Sequence, residues 1–127
     1  MPSSIPGPLK LDSLSMEVPR ADQLVMTGTL ANPATQSELT RYLEGLYGHI
    51  VNKGLSVFGV NVRGLIFVNS SAIRVFVDWI SRAQAAGYKL NFQIDRSITW
   101  HRLSFSVLQS FASFYVEVQE VGATGAA

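Results

Sequence analysis

Residues 55–62 read Leu-Ser-Val-Phe-Gly-Val-Asn-Val. A run this short, apolar and β-branched predicts a strand buried on both faces, the signature of a central strand covered by helices. Helix patterns flank it. Upstream, Leu39, Leu43, Leu46, Tyr47 and Ile50 recur at helical spacing and form one stripe. Asn32-Pro33 and Thr35 to Ser37 offer capping residues before that stripe, and Lys53-Gly54 ends it. Downstream, Arg63-Gly64 reads as a turn, and Leu65-Ile-Phe-Val68 leads into a helix from about Asn69 to Ala86, with Gly87 as its stop.

The remaining segments fit the same alternation. Leu11 to Val18 reads as a strand ending before Pro19, and Leu24 to Leu30 as a second, joined through the turn residues Arg20 to Gln23. Tyr88 to Ile94 alternates, with Leu90, Phe92 and Ile94 on one face. A third helix runs from about Thr99 to Ala112, with Trp100, Leu103, Val107, Leu108 and Phe111 as its apolar face, and Phe114 to Val121 closes the pattern as a strand. The expected fold is α/β: a mixed sheet of about five strands with three to four helices, parallel where a helix intervenes, with right-handed crossovers. Residues 1–10 and 122–127 read as a flexible arm and tail around a domain of residues 11–121.

Composition narrows the function. Of 127 residues, 47% are hydrophobic and 15% charged, which excludes disorder for the bulk of the chain and predicts an exposed apolar patch. A net charge of +1 with scattered Lys and Arg argues against nucleic acid as a partner. The absence of cysteine removes disulfides, thiol catalysis and cysteine-bound metals. There is no apolar run of membrane-spanning length and no signal-peptide pattern, so the expected location is the cytoplasm, with no membrane partner. No nucleophile elbow or phosphate loop is present, and no cofactor or metal is expected. His49 and His101 read as surface or capping residues, and Gly45 and Gly48 as packing positions in the first helix. The chain therefore reads as a binding module and not an enzyme. A Ser70, His101, Asp95 triad would require coincidence of folding.

The informative segment begins where the central strand hands over to the second helix. At 100° per residue, Ile73, Phe76, Val77 and Ile80 face the core, while Arg74, Asp78 and Arg82 lie opposite. Ala72, Val75 and Trp79 widen the apolar arc, and either another helix covers them or they dock a partner. Asn69-Ser70-Ser71 sits at the start of this helix, where one of its side chains caps the first turn. A helix N-terminus also tolerates phosphate.

This segment resembles the signature of the STAS domain, found in bacterial anti-sigma factor antagonists and in the cytoplasmic part of sulfate transporters. That signature is an apolar strand, Asp-Ser-Ser/Thr-Gly and an amphipathic helix. Asn69, Ser70, Ser71 and Ala72 stand at its Asp-Ser-Ser/Thr-Gly positions, with Asn in place of Asp and Ala in place of Gly. The strand and helix order is similar over about residues 11–121. The resemblance implies that Ser70, with Ser71 second, accepts phosphate from a serine kinase and anti-sigma factor of histidine-kinase-like ATPase fold. A metal-dependent serine phosphatase would reverse the modification. Asn69, Ala72, Val75 and Trp79 would bind the partner, and a homodimer through the apolar patch stays open. A second reading is a sensor or adaptor that binds a small molecule or nucleotide without phosphorylation. For that reading, His101 and Arg102 in Trp100-His-Arg102 offer an anion site at a helix start.

Overall fold

The computed structural model describes residues 7–11, 13–30, 33–95, 97–111 and 115–121. In chain order its elements are β1 (Leu9–Lys10), β2 (Leu14–Arg20), β3 (Gln23–Leu30), α1 (Pro33–Lys53), β4 (Val57–Val68), α2 (Ser70–Ala86), β5 (Lys89–Asp95), α3 (Thr99–Phe111) and β6 (Val116–Val121). The strands form one six-stranded sheet in the order β1-β2-β3-β4-β5-β6. Its first two pairings are antiparallel and the other three parallel. Each helix follows one strand and returns the chain to the neighbouring position. Three crossovers of one hand stepping in one direction put their helices on one face.

Burial follows that arrangement. Leu14, Met16, Leu24 and Met26 point into the core, as do Phe58, Val60, Val62, Leu90, Phe92 and Ile94. Phe76 of α2 and Phe105 of α3 meet Phe92 with ring centroids 6.0 and 5.2 Å away, the first pair edge-to-face. On the other face Thr27, Val57, Glu117 and Gln119 are exposed. The β4 run is therefore central but buried on one face only. Gly59, Asn61 and Arg63 alternate with its buried valines and carry too little apolar surface for a second layer.

Other expectations are corrected in the same physical terms. Arg63-Gly64 does not turn the chain: β4 runs unbroken for 12 residues. Its pairing with β3 instead shifts register twice, between Val25 and Thr27 and between Gly28 and Thr29. The first of these bulges switches the inward position from Val62 to Leu65. A Cβ on Gly64 would stand 2.6 Å from Thr27 Cγ2, so the strands close up only over glycine. Pro19 does not end β2, because it falls inside a register shift between Glu17 and Arg20, where a missing N–H is tolerated. Leu9–Lys10, within the stretch read as an arm, pairs with Ser15 and Met16 as β1. Residues 1–6 and 122–127, Asn32, Ala112 and Phe114 lie outside the described residues.

In α3 the apolar face is rotated. His101, Phe105 and Leu108 are buried, whereas Leu103 and Val107 are 65% and 68% exposed. A buried histidine sets the phase of this helix, and hydropathy counts it as polar. In α1 the stripe is as expected, with Leu39, Leu43, Leu46 and Ile50 buried and Tyr47 partly so. Gly48 is not a packing position: it is exposed, and a Cβ there would meet nothing within 4 Å.

Candidate functional site

The end of β4 delivers the chain to α2. Asn69 has extended backbone (φ −79°, ψ 169°) and caps the helix, its Oδ1 accepting the Ala72 N–H at 2.8 Å. The same oxygen accepts from Gln36 Nε2 of α1 at 3.3 Å, and the Asn69 N–H donates to the Leu30 carbonyl that ends β3. Asn69 thus has the capping role expected of it. Ser70 and Ser71 are the first two residues of the helix. Their side chains lie outside the described residues, as does that of Arg102. At the other end Gly87 adopts the left-handed conformation (φ 87°), and its N–H closes on the Ala83 carbonyl.

Two of the expected partner-binding residues are interior. Ala72 is 0% exposed and Trp79 2%. The Trp79 ring meets Phe58 edge-to-face at 6.1 Å, and its indole N–H donates to the Tyr88 hydroxyl at 3.2 Å. Burial pushes the Tyr88 phenol up to about 12. The wide apolar arc of α2 exists because α1 covers it, so neither Ala72 nor Trp79 can anchor a partner. Val75 is half-buried at the seam between the two helices.

The exposed large hydrophobics among the described residues are Val51, Val57, Ile66, Phe67, Leu103 and Val107. Four of these six stand at the end of β4 or on α3. Trp100 links the two groups: its indole N–H donates to the Ile66 carbonyl at 2.8 Å, and Leu103 and Val107 follow one and two turns along α3. The sequence reading missed this patch because it assigned Leu103 and Val107 to the apolar face of the third helix and read Leu65 to Val68 only as a lead into the second.

Beneath the patch lies His101, 0% exposed. Its Nε2–H donates to the Leu65 carbonyl at 2.7 Å, and its Nδ1 accepts the Asp95 backbone N–H at 3.1 Å. Both ring nitrogens are occupied by backbone, and the Asp95 carboxylate binds Ser97 instead. These atoms form neither a triad nor an anion site. β5 pairs with β4 only over Val57–Asn61, so His101 and Trp100 supply partners that a strand would otherwise give to residues 65 and 66. His49 is also buried, and its Nε2–H donates to the Ala21 carbonyl at 2.9 Å. The surface reading therefore fails for both histidines. Among the described residues no three His, Cys, Asp or Glu gather to hold a metal, and no helix is long and apolar enough to cross a membrane.

Burial holds the His101 pKa below its ordinary 6.5, against smaller opposing effects from the Leu65 hydrogen bond and the Asp95 charge. The unfolded chain therefore takes up a proton first as pH falls. Folding stability is expected to decline with acidification from about pH 6.5 down to the folded pKa, and to be level above that range for this group. Denaturant midpoints measured from pH 8 to 5 check this, with His101→Phe flattening the profile. Asp95, held below its ordinary range mainly by the Ser97 hydroxyl, acts only in stronger acid.

Fold and site together define a two-layer α/β domain whose central strand ends in a capped helix. No family model matches the chain, and no curated protein matches it significantly. Among solved structures it is similar to a chain in the crystal structure of the diguanylate cyclase SiaD in complex with its activator SiaC from Pseudomonas aeruginosa. That chain is SiaC. The similarity has a TM-score of 0.63 at 17% identity and covers 94% of this chain and 97% of the other. What the two share at this identity is the fold.

Proposed function

We propose that the chain is a STAS-type regulatory protein that acts by binding a protein partner and is switched by phosphorylation of Ser70. Binding, and no catalysis of its own, carries the function. The observation that carries this reading is the capped helix start: Asn69 closes the first turn, so Ser70 opens α2 directly beyond the end of β4. The similarity to SiaC, solved with the cyclase it activates, supports an adaptor that works through an enzyme partner. A serine kinase of histidine-kinase-like fold and a metal-dependent serine phosphatase would set the state of Ser70, with Ser71 as the secondary acceptor. The docking surface is reassigned to Ile66, Phe67, Leu103 and Val107, because Ala72 and Trp79 are interior and Val75 sits half-buried in the seam between α1 and α2.

The physics separates folding from binding. Phosphate adds about −1.5 to −2 charges, and the helix dipole favours it there by about 0.3–1 kcal/mol. The fold is expected to survive. An apolar interface at the same place would have to desolvate the dianion. A penalty of about 3 kcal/mol weakens binding roughly 150-fold. Trypsin releases residues 64–74 as one peptide containing Ser70. Intact-mass and peptide measurement of protein from its native source should find this peptide heavier by about 80 Da, the mass of one phosphoryl group. Ser70→Ala should remove most of that adduct, and Ser70→Ala with Ser71→Ala all of it, while leaving the melting temperature unchanged. An undiminished adduct in Ser70→Ala, or no adduct under any growth condition, would sink the switch.

A further inference from the structure

The sheet ends differently at its two edges. β1 is two residues long and follows Pro8, which blunts that edge. β6 runs for six residues without a proline and pairs with β5 along its whole length without a register shift. The Leu90 N–H donates to the Tyr115 carbonyl, so in this parallel ladder Glu117 and Gln119 turn their backbone groups toward β5. Val116, Val118 and Glu120 turn theirs outward, and no strand lies beyond them among the described residues. Beside this edge runs a groove of about 350 Å³ lined by Leu103, Ser106, Val107, Ser110 and Glu120. Its four helical residues are all exposed and recur at i, i+3, i+4 and i+7, one stripe of α3.

We propose that edge and stripe together receive a second copy of this chain, β6 pairing antiparallel with β6 about a two-fold axis through Val118. In that register Val118 faces its own copy and Val116 faces Glu120. Every outward residue then stands in a pair that exchanges both its N–H···O bonds. Glu117 falls opposite Gln119, so no carboxylate meets another across the join. An axis normal to the sheet keeps the helices of both copies on one face. Helix α3 packs on both β5 and β6, so its copy stands two strand spacings away. That is about 9–10 Å, the separation at which helices pack. The stripe of α3 closes against itself there, with Ser106 and Ser110 leaving room for the approach. A second copy brings the matching helix with the matching strand, whereas a lone foreign strand would leave the stripe uncovered. The dimer does not depend on Ser70, and its failure would leave the phosphorylation reading intact. It occupies Leu103 and Val107, so second copy and partner exclude one another on α3 while Ile66 and Phe67 stay open.

Sedimentation equilibrium of the unphosphorylated chain should show monomer passing to dimer with a Kd on the order of tens of micromolar, as expected of a small interface. Val118→Pro removes an outward N–H that β5 does not use, and Val107→Glu sets a second carboxylate in the groove with Glu120. Each should weaken the dimer at least about tenfold while the monomer keeps its circular dichroism. Introduced cysteines read the register, because the chain has none of its own. In Val118→Cys the two substituted residues stand about 5.5 Å apart at Cα, within reach of a disulfide. In Glu117→Cys they lie roughly 7–8 Å apart, beyond it. Mild oxidation should therefore cross-link the first variant and not the second. A chain still monomeric at about 1 mM, a dimer indifferent to both Val118→Pro and Val107→Glu, or equal cross-linking at 117 and 118 would overturn the proposal.

Discussion

His101→Ala is expected to remove about 3–4 kcal/mol of folding stability. The imidazole serves two backbone groups at once, the Leu65 carbonyl and the Asp95 N–H. Truncation strands both in the interior, at about 1–3 kcal/mol for each group that finds no water. It also leaves a cavity beside Phe105, whose ring centroid is 6.0 Å from that of His101. His101→Phe would refill the volume and strand the same two groups, so it should recover part of the loss. Urea denaturation of the two variants separates packing from hydrogen bonding, provided the m-value stays constant. A loss under about 1 kcal/mol for alanine would mean that β4 does not depend on this side chain.

Gly28→Ala should be at least as damaging, at about 3–5 kcal/mol. Gly28 lies in β3 opposite Leu14 with φ +108°, where a side chain is strained whatever the space. A Cβ there would stand 1.9 Å from the Ser13 carbonyl oxygen, which is backbone and cannot rotate away. The β2–β3 ladder would have to part. Gly48→Ala provides the contrast. With open space around it in the middle of α1, it should gain about 0.5–1 kcal/mol from helix propensity. Thermal unfolding of the pair should move in opposite directions. A neutral Gly28→Ala would show that β2 does not need to approach β3 so closely.

Much of the architecture was legible because periodicity and caps are local. Leu39 to Ile50, Leu90 to Ile94, Asn69 and Gly87 each took the position their neighbours in sequence implied. What was not legible depended on contacts between distant segments. Arg63-Gly64 carries a turn signal, yet pairing with Thr27 and Gly28 holds it in a strand. Trp79 sits on an arc whose fate rests on where α1 falls, which the α2 sequence does not encode. The face of α3 depends on His101, a polar residue made interior by two carbonyl and amide groups elsewhere in the chain. For the candidate site the cap was readable from four residues. The exposed residues beside it were not, because the start of α3 meets the end of β4 only through the Trp100 bond to the Ile66 carbonyl, 34 positions away in the chain.

Strand β4 outruns β5, and its last residues are fastened on that side by two side chains instead of a neighbouring backbone. A backbone join is indifferent to which amino acids make it; this one is not. The exact seat of residue 69, and of everything that leaves from it, is thereby written partly in residues 100 and 101, which bond to positions 34 and 36 places earlier in the chain. Natural variation at those two sites would retune how the second helix is offered to the outside without altering a single residue of that helix.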